Sequence, residues 1–379
     1  MDSRKLCFVV DDLQFFITHR LDLAIELSKK YKIYLVCNIK NAVVTDLKLI
    51  KRNKITIHHL ESRDGAKFFK GFVSYIFSLK KLIKKISPHF ILYVTLEMSF
   101  IGAFMHYFIN SKKSLFLITG LGQNFTAETL KYKLIVITQK RVFSFLKYTK
   151  NYHFIFQNPD DLKTFVDLKI VAQSKAILIR GNGINIKRLN YKKREFDKKL
   201  VFLFASKLLL KAKGINEFVS AANIVKKQHG SAEFLVAGKY DDSAPDTINK
   251  YEYEDLISSE AISYLGEIPY EEMQKYFYKS SIFVMPSYGE GLPKVSLEAA
   301  ATGMPLIMTD VQGCRECVQA NKNGYLIQPK DSNDLAQTME SCILNIQNLD
   351  AYGKNSSEMV AKEFSLELIS EEFQKVLNL

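Results

Sequence analysis

Residues 281–310 read SIFVMPSYGEGLPKVSLEAAATGMPLIMTD, and they carry the residue types best placed to do chemistry. Gly289 and Gly291 bracket Glu290 and let the backbone approach a bound molecule closely. Pro293 suits the first position of a helix, where its missing N–H costs nothing. The amides that open such a helix make a site for phosphate or pyrophosphate, beyond the carboxyl end of a strand, where α/β domains hold ligands. Glu290 lies before the helix start and Glu298 more than a turn inside it, so the two would flank an anion rather than share a proton. A carboxylate accepts hydrogen bonds in pairs, which suits the vicinal hydroxyls of a sugar or ribose. Spacing alone supports an alternative equally well, with Glu298 a solvated helix residue and Glu290 complementing the helix dipole.

The elements that must position these groups are legible as short apolar runs separated by helical patterns. KLCFVV, KIYLVC, KITIHHL, FILYVT, SLFLIT, HFIFQN and AILIRG fall in the first half, and LVFLFA, AEFLVAG, SIFVMPS, PLIMTD and GYLIQP in the second. Continuous apolar strands alternating with helices predict parallel sheets covered on both faces. Each half is therefore expected to be a doubly wound α/β domain. The polar segment at 181–200, GNGINIKRLNYKKREFDKKL, marks the boundary, with a linker near 185–198 and domains of 1–190 and 191–379. Helical patterns run from Gln328 to the end, and the last, starting near Ser365, is free to pack back on the first domain.

A chain of 379 residues is of a length for two ordinary domains, and 47% apolar with 25% charged residues excludes a disordered or collagen-like protein. Charge is unevenly shared. Residues 1–190 hold 32 Lys and Arg against 13 Asp and Glu, whereas 191–379 hold 21 against 27. An anionic partner for the first half follows, unless the basic face is simply solvated. Five sparse cysteines point to a reducing compartment, and Leu6–Val10 is too short an apolar run for a secretion signal. Residues 89–110 approach the length of a membrane span, but Glu97, His89 and His106 within them favour a buried strand followed by a helix. In 66–86, Phe72, Ile76, Leu79, Ile83 and Ile86 form an apolar stripe beside Lys70, Lys80, Lys81, Lys84 and Lys85, and 131–150 is similarly basic and apolar. Such helices suit an anionic membrane surface; they equally suit a core with a lysine-rich solvent face.

The spacing Glu290-x7-Glu298 within EGLPKVSLEAAATGMPLI, followed by TDVQGCRECV and NGYLIQPKD, resembles the donor-binding region of family 4 glycosyltransferases, retaining two-domain enzymes of the GT-B fold. FFITHRLDLA, ITGLGQNF, FQNPDD, GNGINIKRL, KAKGINEFVSAA, FLVAGKYDD and YLGEIPYEEM are similar to the same family in the same order, above all to bacterial members that build capsule, O-antigen and lipid-linked oligosaccharides. The resemblance implies two Rossmann-like domains facing a cleft. Carried onto matching residues, it has Glu298 binding ribose hydroxyls and Glu290 touching the donor sugar or its phosphate. Backbone amides of Gly291, Leu292 and Lys294 would surround the sugar and pyrophosphate, Lys213 would neutralise the departing diphosphate, and Gly266 to Ile268 would edge the base. His19 would act near the acceptor or donor phosphate, although a helix-end role for His19 and Arg20 remains open. The loop with Gly120, Gly122 and Gln123 would lie against the transferred sugar, and Gln157, Asn158 and Asp160 near the domain junction.

Two departures stand out. The family's arginine six residues before the glycine of its lysine-glycine pair is Leu208 here, so either one residue is inserted and Lys207 substitutes, or that phosphate contact is missing. The family's N-terminal double glycine is replaced by DDLQFFITHR. The implied chemistry needs no metal, cofactor or protein nucleophile: the leaving phosphate takes the acceptor proton, and the protein orients and stabilises charge. No Asp-x-Asp, HExxH or spaced histidine pair occurs, and Cys314-x-x-Cys317 has no second close pair, which favours buried thiols over zinc or redox use. The expectation is a cytoplasmic enzyme, peripheral on the inner face of the membrane. It would move a hexose or N-acetylhexosamine from a nucleotide-sugar, UDP being usual in the resembling members, to a lipid-linked saccharide. A soluble acceptor, or a nonenzymatic binder of anionic surfaces with a decayed donor site, are the alternatives; no nucleic-acid motif is present.

Overall fold

The apolar runs become parallel strands. The computed structural model describes residues 4–40, 42–61, 68–106, 109, 113–121, 130–146, 149–196, 199–244 and 246–379, without the side chains of 68–72 and 130–135. In the first unit β1 (Lys5–Asp12), β2 (Lys32–Asn38), β3 (Thr56–His59), β4 (Phe90–Val94), β5 (Lys113–Ile118), β6 (Tyr152–Phe156) and β7 (Ala176–Leu178) lie in the order β3-β2-β1-β4-β5-β6-β7. In the second, β8 (Val201–Leu208), β9 (Glu233–Lys239), β10 (Ile262–Gly266), β11 (Ile282–Met285), β12 (Leu306–Thr309) and β13 (Gly324–Ile327) follow the order β10-β9-β8-β11-β12-β13. Every strand pair is parallel. The fold is two doubly wound, Rossmann-like α/β units.

Central strands such as β4 and β11 are buried at every position, as expected of sheets covered on both faces. The apolar runs gave no hint of β10. This edge strand is exposed at Ser263 and only half-buried along residues 264–266 and so lacks a continuous apolar signature. In both units the strand order reverses beside the first strand, between β1 and β4 and between β8 and β11, which are the switch points where such sheets bind ligands. Both first strands also carry a one-residue bulge near their carboxyl ends, between Val9 and Asp12 and between Ala205 and Leu208.

The units divide as Met1–Gly183 with Leu366–Leu379, and Ile184–Ser365. The break therefore falls before the expected 190. Ile184 and Leu189 belong to the second unit's core, and Ile184 N donates to Phe364 O at 2.8 Å. The polar segment after them is a strap. Half-buried Arg194 donates to Thr302 O at 2.6 Å and Phe277 O at 2.7 Å, fixing part of the stretch expected to be a linker. Helix Leu366–Asn378 returns to the first unit, where Leu366, Ile369, Phe373 and Val376 pack in one core with Leu21, Leu23 and Leu27.

Within the described part of 89–110 lie β4 and helix Leu96–His106, with Glu97 exposed in its first turn, where a carboxylate complements the helix dipole. Among the described residues no helix is long and apolar enough to cross a membrane. Helix Phe68–Ile86 directs Leu79, Ile83 and Ile86 into the core together with Tyr75, while Lys81, Lys84 and Lys85 stay exposed. Among the described side chains the stripe is thus core-facing, and Val73 and Phe77 stand with the lysines in solvent; Lys70 and Phe72 lie outside the described side chains.

Candidate functional site

The second unit's switch point gathers the strongest chemistry. After the β8 bulge the chain makes a 3₁₀ turn, Lys211–Lys213, that ends on Gly214 at φ 74°. A Cβ on Gly214 would lie 2.1 Å from Pro286 O, so only glycine lets this turn press against the end of β11. The two loops are then tied together. Tyr288 N donates to Ala212 O at 2.8 Å, and Ser287 Oγ to the same oxygen at 3.0 Å. Lys213 and Glu290 meet there, Nζ to Oε1 at 2.6 Å, and Ser287 Oγ lies 2.8 Å from that carboxylate oxygen. Gln312 O accepts from Glu290 N at 3.2 Å and holds the loop from its other side.

Glu298 has a different set of partners. It sits on helix Lys294–Ala301, whose alanine-rich face lets it pack tightly beside β11 and β12, and it is 4% exposed. Burial rules out the solvated-residue alternative. Tyr270 Oη donates to Glu298 Oε1 at 2.7 Å, Lys294 Nζ lies 3.3 Å from it one helical turn away, and Arg188 Nη2 3.6 Å. Lys294 Nζ also donates to Tyr270 Oη at 2.7 Å, as does Arg188. Both cations stand over the Tyr270 ring, each 4.6 Å from its centroid. A buried carboxylate bonded by a phenol and flanked by two cations presents its oxygens in a fixed direction. Pro293 is the N-cap of this helix, with φ −74° and ψ 101°, rather than its first helical residue. Gly291 and Leu292, both buried, lead into the helix and its positive dipole end.

Arg188 and Tyr270 were not singled out by sequence reasoning. Arg188 lay in the stretch read as linker, and Tyr270 four residues beyond a strand that left no apolar signature. Gly266, at φ 71°, and half-buried Ile268 lie at the carboxyl end of β10 in the segment that delivers Tyr270. Lys207 is exposed at the bulge, where β8 has one residue more than β9, and Leu208 is half-buried; Lys207 joins neither carboxylate among the described residues. Cys314 and Cys317 are fully buried, and burial pushes both thiols up, as expected of core cysteines.

In the first unit His19 ends helix Leu13–His19, half-buried with its ring 4.7 Å from that of Phe15. Arg20 beside it is 1% exposed and bonds Asn182 Oδ1, which also accepts from Gln157 Nε2 at 2.8 Å. Burial pulls the Arg20 pKa down to about 9. Asn158 caps helix Pro159–Asp167, accepting from Asp161 N at 2.8 Å, so its role is structural. Gly120, at φ 144°, follows β5; Gly122 and Gln123 lie outside the described residues.

Residues 5–158 match the family described as Glycosyl transferase 4-like, and residues 186–359 the one described as Glycosyl transferases group 1. The N,N'-diacetylbacillosaminyl-diphospho-undecaprenol alpha-1,3-N-acetylgalactosaminyltransferase of Campylobacter jejuni is 24% identical over 79% of each chain. The capsular polysaccharide biosynthesis glycosyltransferase CapM of Staphylococcus aureus is 23% identical over 58% of this chain and 60% of its own. HepE of Anabaena, solved in complex with UDP and glucose, superposes with a TM-score of 0.78 at 15% identity over 99% of each chain, a likeness of fold.

Proposed function

We propose that this chain, which belongs to the glycosyltransferases built from a 4-like first domain and a group 1 second domain, transfers a hexose or N-acetylhexosamine from a UDP-sugar to a polyprenyl-diphosphate-linked saccharide in surface polysaccharide synthesis. The observation that carries the reading is the pair of differently partnered carboxylates, Glu290 with Lys213 and Glu298 with Tyr270, Lys294 and Arg188, around one helix start at the switch point. Glu298, held rigid from three sides, accepts hydrogen bonds from the ribose hydroxyls. The helix start and Lys213 take the diphosphate, and as the sugar departs Lys213 meets the charge that grows on the leaving oxygen. Glu290, released from part of its bond to Lys213, is then free to orient the sugar. In this reading the acceptor hydroxyl attacks the sugar carbon from the face that the diphosphate leaves and passes its proton to the departing phosphate oxygen, so configuration is retained and no metal is called for.

The nature of the two relatives supports the polysaccharide role, and the Campylobacter protein's name supports a lipid-linked acceptor. Membrane contact, at the inner face, is then electrostatic, through Lys81, Lys84 and Lys85 with exposed Phe77, because the apolar stripe of that helix is occupied by the core. A buried stripe also favours the second reading, a soluble acceptor. Flotation with vesicles that do or do not contain anionic lipid decides between them: lipid-dependent flotation that is abolished by salt supports the first, and no flotation the second.

The donor is tested by thermal shift with UDP, GDP and ADP, using wild type and Glu298→Ala. Ligand at a hundred times its Kd adds about 2.7 kcal/mol. Stabilisation of the wild type by UDP that is lost in the variant is expected. A wild type that no nucleotide stabilises refutes the donor-site reading.

A further inference from the structure

The first unit holds a second concentration of charge, at the edge of its sheet opposite the carboxyl ends of the strands. Arg4 precedes β1, His89 precedes β4, Lys113 opens β5 and Lys175 precedes β7, and because all these strands are parallel their amino ends converge. With His153 of β6 they line a cavity of about 370 Å³, together with Phe90 and with Leu377, Asn378 and Leu379 at the end of the last helix. Lys113 is 6% exposed and reaches Val376 O at 2.5 Å. Arg4 donates to Asn378 Oδ1 at 3.0 Å and stands 5.4 Å over the Phe90 ring, and Lys175 stands 5.1 Å over Tyr152. None of the three cations forms an ion pair among the described residues.

Three cations around one cavity repel each other, and Lys113, the buried one, carries a desolvation cost that a carbonyl offsets only in part, while Lys175 is half-buried and Arg4 exposed. Repulsion is visible on the neighbours. Burial and then the charges of Lys113 and Lys175 hold His153 down to about 4, and burial and Lys175 lower Lys113. His153 Nδ1 is buried and has no hydrogen-bond partner among the described residues. From this arrangement we infer that the cavity is a binding site for a phosphate monoester, held by Arg4, Lys113 and Lys175. A dianion matches the excess charge and accepts several charge-assisted hydrogen bonds at once, one of them from His153 Nδ1 after the ring gains a proton. The cavity exceeds the size of inorganic phosphate, so an organic part of the ligand lies against Phe90. This site lies at the amino ends of β1, β4, β5 and β7, separate from the second unit's nucleotide region, and makes no use of Lys213 or Glu290.

The test uses the full chain carrying Lys213→Ala, which disables the second unit's diphosphate site. It is titrated with inorganic phosphate by calorimetry at fixed ionic strength and, in parallel, with phosphatidylcholine vesicles with and without phosphatidic acid. One phosphate per chain is expected, with affinity lower by about tenfold in Lys175→Gln and again in Arg4→Gln, each losing one charge-assisted contact. Carbon NMR of the His153 ring supplies a readout that folding defects do not mimic: its titration moves upward when phosphate binds. Saturation by free phosphate identifies a soluble ligand; binding only to phosphatidic-acid vesicles, lost in the same variants, identifies a lipid headgroup. Absence of binding in both arms overturns the proposal, as does equal affinity in wild type, Lys175→Gln and Arg4→Gln.

Discussion

The two units share a strand order and even the bulge in their first strands, yet they handle buried charge at the carboxyl ends of those strands in opposite ways. In the first unit Arg20 is buried against the neutral amide of Asn182 and meets no carboxylate among the described residues. In the second, Glu290 and Glu298 each face cations, at 2.6 Å from Lys213 and 3.3 Å from Lys294. Buried ion pairs add little net stability relative to well-packed apolar groups. Their concentration at one switch point is therefore better understood as a set of contacts that a charged ligand exchanges into than as a device for holding the fold. The lesson is that topology supplies the place in both units, and charge pairing at that place is what distinguishes the second from the first.

The comparison breaks most sharply if the ion pair is structural. Lys213→Ala is expected to lower the rate of sugar transfer by about 10²–10³-fold, the usual cost of losing one preorganised group aimed at developing charge, while the melting temperature changes little. A rate within threefold of wild type would remove Lys213 from the mechanism. The packing at the same switch point is next in size. Gly214→Ala places a Cβ 2.1 Å from Pro286 O at positive φ and should cost about 3 kcal/mol or more, whereas Gly266→Ala, at φ 71° but in open space, should cost about 1 kcal/mol. Denaturant melts of the two variants check this, and equal losses would mean that the contact with Pro286 is not the constraint.

In the first unit, burial and the nearby Asp160 raise the Asp161 carboxyl to about 6, against the opposing hydrogen bond from Asn158. A carboxyl raised in the folded state gives stability that is complete below its ordinary pKa of 3.8 and is lost as pH rises through about 6. Wild type should thus lose up to about 1.4 kcal/mol per pH unit across that window relative to Asp161→Asn, measured as the difference between their pH–stability curves. The smallest effect belongs to the second unit's buried cluster. Tyr270→Phe removes one neutral hydroxyl from Glu298 and leaves Lys294 and Arg188, so KM for the donor should rise about fivefold, near 1 kcal/mol, with kcat held. A fall in kcat at constant KM would instead move Glu298 from donor binding to the reacting centre.

Much of this was legible before any coordinates. Apolar runs with β-branched residues announced the buried strands, because a strand covered on both faces leaves an unbroken hydrophobic record. Glycines, Pro293 and two glutamates at fixed spacing marked the anion site, because backbone approach and helix starts constrain residue type locally. The half-buried edge strand Ile262–Gly266 left no such record, and Tyr270 was hidden with it. Arg188 was hidden for another reason: a charged residue in a polar segment looks the same whether it faces water or stands 4.6 Å over a ring from a distant part of the chain.

Amphipathic helices show the limit most clearly. The pattern of Leu79, Ile83 and Ile86 fixes which face of helix Phe68–Ile86 is apolar, but whether a core or a bilayer covers that face depends on what the rest of the chain leaves beneath it. The same holds for helix Leu366–Asn378, whose periodicity was plain and whose partners, Leu21 and Leu27, stand at the other end of the sequence. By itself the sequence determined two parallel α/β units and the identity of the carboxylates, since these follow from periodicity and local backbone chemistry. Tertiary structure alone decided which cations each carboxylate meets and where the helices dock. It also brought Arg4, Lys113 and Lys175 around one cavity, because all of these are contacts between residues far apart in the chain.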